Sequence, residues 1–351
     1  MAPPDDIARI QSCIRNRLDR KIIGTKPIAA VIGAAPSRYS KSPALWNATF
    51  QALKMSAVYV PLDVDGDRLP DLIAAVKESD RVLGLNVTVP HKVAVMNYLD
   101  AVDEAAARIG AVNTIVRGEK TGRLAGANTD GAGFVESLLT VQSGCPAPLV
   151  ESLKGLSALI LGAGGSARAV AFALAERLES GRLIIANRTR ESAASLASEI
   201  GKSFANVAAI NEEQIPEHAR HVDIIINCTT KGQSGFLERY SALAPAHPAN
   251  GAGSPGEAPA AIEANNAASL NLALSIPPTV GFYDLIYHPA ETIFLRHGRL
   301  SGHRTLNGRG MIVAQAVESF YNYICRRQLE KAGLHTAATR RRIAEIMNAA
   351  W

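Results

Sequence analysis

The sequence predicts a two-domain α/β protein, and three observations carry that reading. The chain has 351 residues, enough for about two domains of roughly 100–200 residues each. Short apolar runs bounded by Gly or Pro alternate with helix-like segments along both halves, as in parallel sheets covered by helices. With 47% hydrophobic and 20% charged residues, the composition excludes a disordered or fibrous chain.

No apolar run reaches the ~18 residues of a membrane span, so no membrane partner is expected. The start, Met1-Ala-Pro-Pro-Asp-Asp6, lacks the basic and apolar regions of a secretory signal. Cys13, Cys145, Cys228 and Cys325 lie far apart with no C-x-x-C pair. That pattern suits a reduced, cytoplasmic protein with neither a disulfide framework nor a metal site.

The net charge of +5 is unevenly spread: residues 1–26 carry +3, residues 321–351 carry +4, and the middle is about −2. The basic character therefore sits in the tails, densest at Arg340-Arg341-Arg342. A nucleic-acid partner would require a basic face on the folded body as well, so none is expected, and the tails read as solvated helix faces.

The elements follow in order. Ile7, Ile10, Ile14 and Leu18 recur at helical spacing in an N-terminal extension, residues 1–21, whose helix ends near Gly24. Ile28–Gly33 is a buried strand. Ser42-Pro43 opens a helix, with Ser as N-cap and Pro at the first helical position. Ala57–Leu62 reads as a strand, Leu69–Lys77 as a helix, Val82–Val89 as a strand, and Pro90 as the start of a helix running to Leu99. In the second half, strands are expected at Ser157–Leu161, Leu183–Ala186, Val207–Ile210 and Asp223–Asn227, with helices at Val170–Leu178 and Ser192–Ile200. Residues 244–278 hold six Pro and three Gly and read as a surface insertion, with a helix around Ala260–Leu274. A strand resumes over Thr279–Ile286. A last long helix, Gly310–Gln328, aligns Val313, Val317, Phe320 and Ile324 in one apolar stripe, with Gln315 pointing away beside Met311.

Gly162-x-Gly164-x-x-Ala167 lies between a strand and a helix. Gly162 permits the tight turn, Gly164 lets backbone approach a pyrophosphate, and Ala167 allows close helix–strand packing. The helix N-terminus supplies donors and a positive dipole end. In a strand–turn–helix context this reads as a dinucleotide site. A protein that binds NAD usually places a carboxylate at the end of the next strand, for the ribose 2′-hydroxyl. Here that strand ends Asn187-Arg188-Thr189-Arg190, two guanidiniums and a hydroxyl, which suit a 2′-phosphate. The cofactor expected is NADP.

Reactive groups must come from the first half. Leu85-Asn-Val-Thr-Val-Pro-His-Lys92 puts Asn86 and Thr88 on one face of a strand end. Lys92, in the first turn of the expected helix, would meet a positive helix terminus that makes its proton easier to lose; taken alone it reads more readily as a surface lysine. Asp130, entering a helix, is a carboxylate or a plain N-cap. Asn113 is a turn residue or a ligand donor. Ser40 and Ser42 could bind a carboxylate at a helix start, and Ser42 is also an ordinary cap.

Together these segments resemble the shikimate dehydrogenase family: S-K-S-P (40–43), N-V-T-V-P-H-K (86–92), G-A-V-N-T (110–114), N-T-D-G (128–131), G-A-G-G-S-A-R (162–168), N-R-T (187–189), D-L-I-Y (284–287) and G-x-G-M-I-V-A-Q (308–315), in the family's order. The resemblance implies that Lys92 and Asp130 move the hydroxyl proton. It implies a substrate shell of Ser40, Ser42, Asn86, Thr88, Asn113, Tyr287 and Gln315. To the cofactor shell of Gly162, Ala163, Gly164, Gly165, Ser166, Ala167, Asn187, Arg188, Thr189 and Arg190 it adds Thr229 and Gly308.

The implied reaction is the NADP-linked interconversion of shikimate and 3-dehydroshikimate in aromatic amino-acid biosynthesis, by a monomer or homodimer acting on a small-molecule substrate. The implied fold is a substrate domain, 22–126, completed by the C-terminal helix 306–335, then a Rossmann-like domain, 127–305, across an interdomain cleft, with a basic extension at 336–351. Two other readings stay open: a quinate/shikimate dehydrogenase with broader substrate or NAD use, and a non-catalytic dinucleotide sensor. The chain departs from the family's usual pattern at Tyr39, Trp46, Ala127, Gln233 and Arg309.

Overall fold

The computed structural model describes residues 5–235, 237–245 and 257–351. Packing divides the chain into two compact units, Met1–Gly133 with Val313–Trp351, and Phe134–Ile312. The first changeover thus falls at Gly133 rather than after residue 126.

The first unit is built on a six-stranded sheet. Its strands are β1 (Ile28–Gly33), β2 (Val58–Asp63), β3 (Val82–Val87), β4 (Ala101–Val102), β5 (Thr114–Arg117) and β6 (Leu124–Ala127), in the order β2-β1-β3-β5-β6-β4. β1 pairs in parallel with β2 and β3, and every one of its residues is buried. A strand covered on both faces reads as a continuous apolar run. Alternate residues feed two cores. Ile28, Ala30 and Ile32 pack with Ile7, Ile10, Leu18, Leu72 and Val76. Ala29 and Val31 pack with Trp46, Phe50, Val317, Phe320, Ile343 and Met347.

Among the described residues, both segments expected as extensions (1–21, of which 1–4 lie outside the described residues, and 336–351) therefore contribute to the core. The helix Asp6–Ser12 buries Ile7 and Ile10 on one face of the sheet, and the helix Ala337–Ala349 buries Ile343 and Met347 on the other. The outer edge of β2 is sealed by side chains. Asn47 exchanges two 2.9 Å hydrogen bonds with the backbone of Tyr59, and Asn16 donates to the Pro61 carbonyl and accepts from the Asp63 amide. A sealed edge offers no row of free N–H and C=O groups to another strand.

Three local expectations are corrected here. Lys92 does not lie in a helix: residues 89–93 form turns, and a 3₁₀ segment follows at Ala94–Tyr98. The Lys92 carbonyl accepts from the Val112 amide at 2.8 Å, so no helical ladder starts through it. Ser42 is the first residue of the helix Ser42–Ala52 and not its cap; the Ser40 hydroxyl accepts from the Ser42 amide instead. The helix expected over Gly310–Gln328 is α-helical over Arg309–Glu318, widens into a π-helical turn at Ser319–Ile324, and resumes at Arg326–Lys331.

The second unit holds an all-parallel sheet of β7 (Ser157–Leu161), β8 (Arg182–Ala186), β9 (Val207–Ile210), β10 (Ile224–Asn227), β11 (Gly281–Asp284) and β12 (Thr305–Leu306). Their order is β12-β11-β10-β7-β8-β9. Counted from β7, this is the 3-2-1-4-5-6 order of a doubly wound dinucleotide fold, whose switch point lies between its first and fourth strands.

The surface insertion expected at 244–278 is corrected as well, except that residues 246–256 lie outside the described residues. The helix Glu257–Ser275 belongs to this unit's core, where Leu272, Ala273 and Ile276 pack with Phe282, Phe294 and Leu295. The buried Asn265 amide donates to the carbonyls of Ser241, Ala244 and Pro245, and the Ser269 hydroxyl meets Ser241 Oγ and His297 Nδ1. The helix lies where the sequence places one, around Ala260–Leu274, but it is rich in Ala and Asn and held by polar bonds, so no apolar stripe announces its burial.

Candidate active site

Strand register brings one group of polar side chains together. β5 runs antiparallel between β3 and β6, aligning Asn86 with Thr114 and Thr114 with Ala127. The end of β3, the start of β5 and the residues just after β6 therefore meet. Asn128 Oδ1 accepts from the Asp130 amide at 3.0 Å, turning the chain into the helix Asp130–Leu139. That leaves the Asp130 carboxylate free of capping work.

The carboxylate is used instead by two side chains. Lys92 Nζ donates to Asp130 Oδ2 at 2.6 Å, and Asn113 Nδ2 donates to Asp130 Oδ1 at 2.8 Å. The aspartate side chain is 8% exposed and that of Lys92 21%, so the carboxylate is buried and the lysine side chain is partly exposed. The Asn113 amide is oriented by its neighbours: its Oδ1 accepts from the Thr129 backbone amide at 2.9 Å, which can only donate. Gln315 approaches the same group, with Oε1 3.4 Å from Asn113 Nδ2.

Behind this pair lies a second layer. Tyr59, fully buried on β2, donates from its hydroxyl to Asn86 Oδ1 at 2.8 Å. Burial pushes the Tyr59 phenol well above its ordinary range. Asn86 Nδ2 donates to Ser319 Oγ at 2.8 Å, and Thr114 Oγ1 lies 3.1 Å from the same oxygen. Tyr39 and Thr88 both lie against Gly33.

Of the expected substrate shell, Asn86, Asn113 and Gln315 thus join the Lys92–Asp130 pair in one network. Ser40 and Ser42 stand together at the start of the helix Ser42–Ala52, and Thr88 lies just after β3, near Tyr39. Tyr287 belongs to the second unit, in the loop after β11. Tyr59, Thr114, Thr129 and Ser319 were missed. Thr114 and Thr129 stand inside motifs already singled out, beside Asn113 and Asp130. Tyr59 and Ser319 carry no local signal.

In the second unit the loop after β7 has Gly162 at φ +108, a left-handed conformation that Gly tolerates. A Cβ there would lie 3.1 Å from the Thr229 methyl and 3.2 Å from the Cys228 carbonyl, so the loops after β7 and β10 touch. At Gly164 and Gly165 a Cβ would meet nothing within 4 Å, and no side chain caps the helix Gly165–Ala175. Ala167 is fully buried against the sheet. Asn187 Nδ2 donates to the Thr189 carbonyl at 2.9 Å, shaping the turn after β8. Arg188, Thr189 and Arg190 are exposed there, and neither arginine has an ion pair among the described residues. Gly308 is obligatory, since a Cβ would lie 2.0 Å from the Leu285 carbonyl.

The description "Shikimate dehydrogenase substrate binding domain" matches residues 31–115, and "Shikimate / quinate 5-dehydrogenase" matches residues 147–242. The NADP(+) shikimate dehydrogenase of Caldanaerobacter subterraneus subsp. tengcongensis is 38% identical over 86% of this chain and 92% of its own length. The chain belongs to the shikimate dehydrogenase family.

Its solved relatives in the family share the fold. A shikimate dehydrogenase crystal structure in complex with NADP+ superposes with a TM-score of 0.69 at 29% identity, covering 95% of this chain and 96% of the other. The Thermus thermophilus shikimate 5-dehydrogenase, in complex with NADP(H) and shikimate, superposes with a TM-score of 0.64 at 29% identity, covering 93% and 100%.

Proposed function

We propose that this protein is an NADP-dependent shikimate dehydrogenase that reversibly reduces 3-dehydroshikimate to shikimate in the aromatic amino-acid pathway. The observation that carries the reading is the Lys92–Asp130 contact, with Asn113 on the second carboxylate oxygen. Oxidising a secondary alcohol removes a hydride and a proton. The nicotinamide of NADP, when bound, supplies the hydride acceptor; the proton is the protein's task. Lys92, whose side chain is partly exposed, holds or returns the substrate hydroxyl's proton at Nζ, while Asp130 orients that nitrogen and balances its charge.

Ser40, Ser42, Asn86, Thr88, Asn113, Tyr287 and Gln315 suit a substrate with a carboxylate and three hydroxyls. Each polar group taken out of water needs a partner or costs free energy. The residues of the second unit fit NADP. Gly164 and Gly165 leave room for a pyrophosphate at an uncapped helix N-terminus, and Arg188, Thr189 and Arg190 offer charge-assisted donors to a 2′-phosphate.

Steady-state rates for shikimate and quinate, each with NADP and NAD, test the reading. Shikimate with NADP is expected to give the highest kcat/KM. Faster turnover of quinate or of NAD would reassign the specificity, and no nicotinamide reduction with either substrate would overturn the assignment as an enzyme.

A further inference from the structure

The π-helical turn at Ser319–Ile324 interrupts the helix four residues beyond Gln315. Wide turns of this kind are rare and recur at functional sites. Ser319 opens it, is fully buried, and turns its hydroxyl to Asn86 and Thr114, while the next residue, Phe320, packs on Trp46 with ring centroids 5.0 Å apart. Gln315 and Ser319 are one α-turn apart, so both face the ends of β3 and β5.

Asn86 is held at both ends. Tyr59 Oη donates to its Oδ1 at 2.8 Å, and its Nδ2 donates to Ser319 Oγ at 2.8 Å. The Asn113 carbonyl, an acceptor only, lies 3.3 Å from the same nitrogen, which fixes which end of the amide is which. Tyr59 is itself immobilised by stacking on Trp46, with centroids 4.7 Å apart. On the other side, the Thr114 hydroxyl has one proton and two acceptors in reach, Ser319 Oγ at 3.1 Å and Asn113 Oδ1 at 2.9 Å. Ser319 is thus one hydrogen bond from Asn86 and two from Asn113, the residue that donates to Asp130.

The geometry points to Ser319 as a positioning residue of the substrate site, acting with Tyr59 to clamp Asn86. The inference rests on the shikimate dehydrogenase reading. A residue that only filled a polar gap in the core would affect stability alone; one that aims Asn86 affects the substrate it would hold.

Ser319→Ala, Tyr59→Phe and the double variant test this in the full-length protein. Each single change is expected to raise KM for shikimate roughly three- to tenfold, the effect of one lost hydrogen bond partner. kcat and KM for NADP should stay within about twofold. The double variant is expected to fall short of the product of the two effects, because both act through the same amide. An unchanged KM for shikimate with a lowered melting temperature, or equal rises in both KM values, would overturn the inference. So would full multiplicativity. The ¹⁵N resonance of the Asn86 side-chain amide in the substrate-free protein gives a readout that needs no turnover. It is expected to shift in both single variants, and its constancy would also refute the clamp. Absence of shikimate turnover by the unaltered protein counts against the functional reading instead, and the amide resonance then decides the clamp by itself.

Discussion

Asn227 and Asp284 stand opposite each other at the ends of β10 and β11, and the Asn227 amide donates to the Asp284 carboxylate at 3.0 Å. Both are fully buried. Asn227 also donates to the Lys231 carbonyl and accepts from the amide and hydroxyl of Thr229; Asp284 accepts from the Ile286 amide and the Thr292 hydroxyl. One side-chain pair therefore ties down the loop that carries Thr229 and the loop that carries Tyr287.

This pair makes stability depend on pH. Burial outweighs the three donors and pushes the Asp284 carboxyl from 3.8 up to about 7. The unfolded carboxyl releases its proton near its ordinary value while the folded one keeps it, so the folded state holds an extra proton between the two. The stabilisation is fully present below about 3.8 and is lost as pH rises toward 7, a difference on the order of 4 kcal/mol. Urea unfolding of the wild type and Asp284→Asn between pH 4 and 8 checks this: the wild-type curve should fall relative to the variant's across that window. Parallel curves would show that the carboxylate is not held neutral.

Lys92→Ala removes the group proposed to carry the proton. A positioned acid or base contributes ~10²–10⁴ in rate, so kcat for shikimate should drop by that factor. Fluorescence titration should find NADP affinity within about twofold of wild type. A variant keeping more than half the wild-type kcat would sink the role.

Arg188→Ala should weaken NADP selectively. A charge-assisted hydrogen bond contributes about 1.5–3 kcal/mol, so KM for NADP should rise roughly 10- to 100-fold. KM for NAD, which lacks the 2′-phosphate, should barely move. Equal losses with both cofactors would remove Arg188 from the phosphate site.

Leu272→Ala tests whether the helix Glu257–Ser275 is core. Leu272 is 7% exposed and packs among the apolar residues under the second sheet, and truncating such a leucine costs about 2–5 kcal/mol. Calorimetry should show a melting temperature lower by roughly 5–15 °C, with kcat at 25 °C nearly unchanged. A shift under about 2 °C would return this helix to the surface.

Much of the fold was legible because its signals are local. The buried strand at Ile28–Gly33 appears as an unbroken apolar run, Val207–Ile210 has the expected bounds, and the turn at Gly162 follows from a glycine where a left-handed conformation is required. Burial and long-range bonding are less legible, because periodicity does not record them. A helix around Ala260–Leu274 is legible, but its place in the core is not: it carries Ala and Asn in place of an apolar stripe, and Asn265 and Ser269 tie it to Ser241 and its neighbours. Pro90 is a common helix opener and suggests a helix through Lys92, yet a long-range bond from Val112 claims the carbonyl that a helix would need.

The sequence by itself determined the alternation of strands and helices, the phosphate-type turn, the arginines after β8, and Lys92 and Asp130 as a pair worth testing. All of these depend on residues within a few positions of one another, or on motifs in a recognisable order. Only the tertiary structure decided that the helices Asp6–Ser12 and Ala337–Ala349 build the core of the first unit, that Asn113 shares the Asp130 carboxylate with Lys92, and that Ser319 meets Asn86 across 233 positions of sequence. Hydrogen bonds of that kind form between side chains brought together by sheet register and helix packing. Periodicity records which face of an element is apolar, but not which distant polar group will stand opposite it.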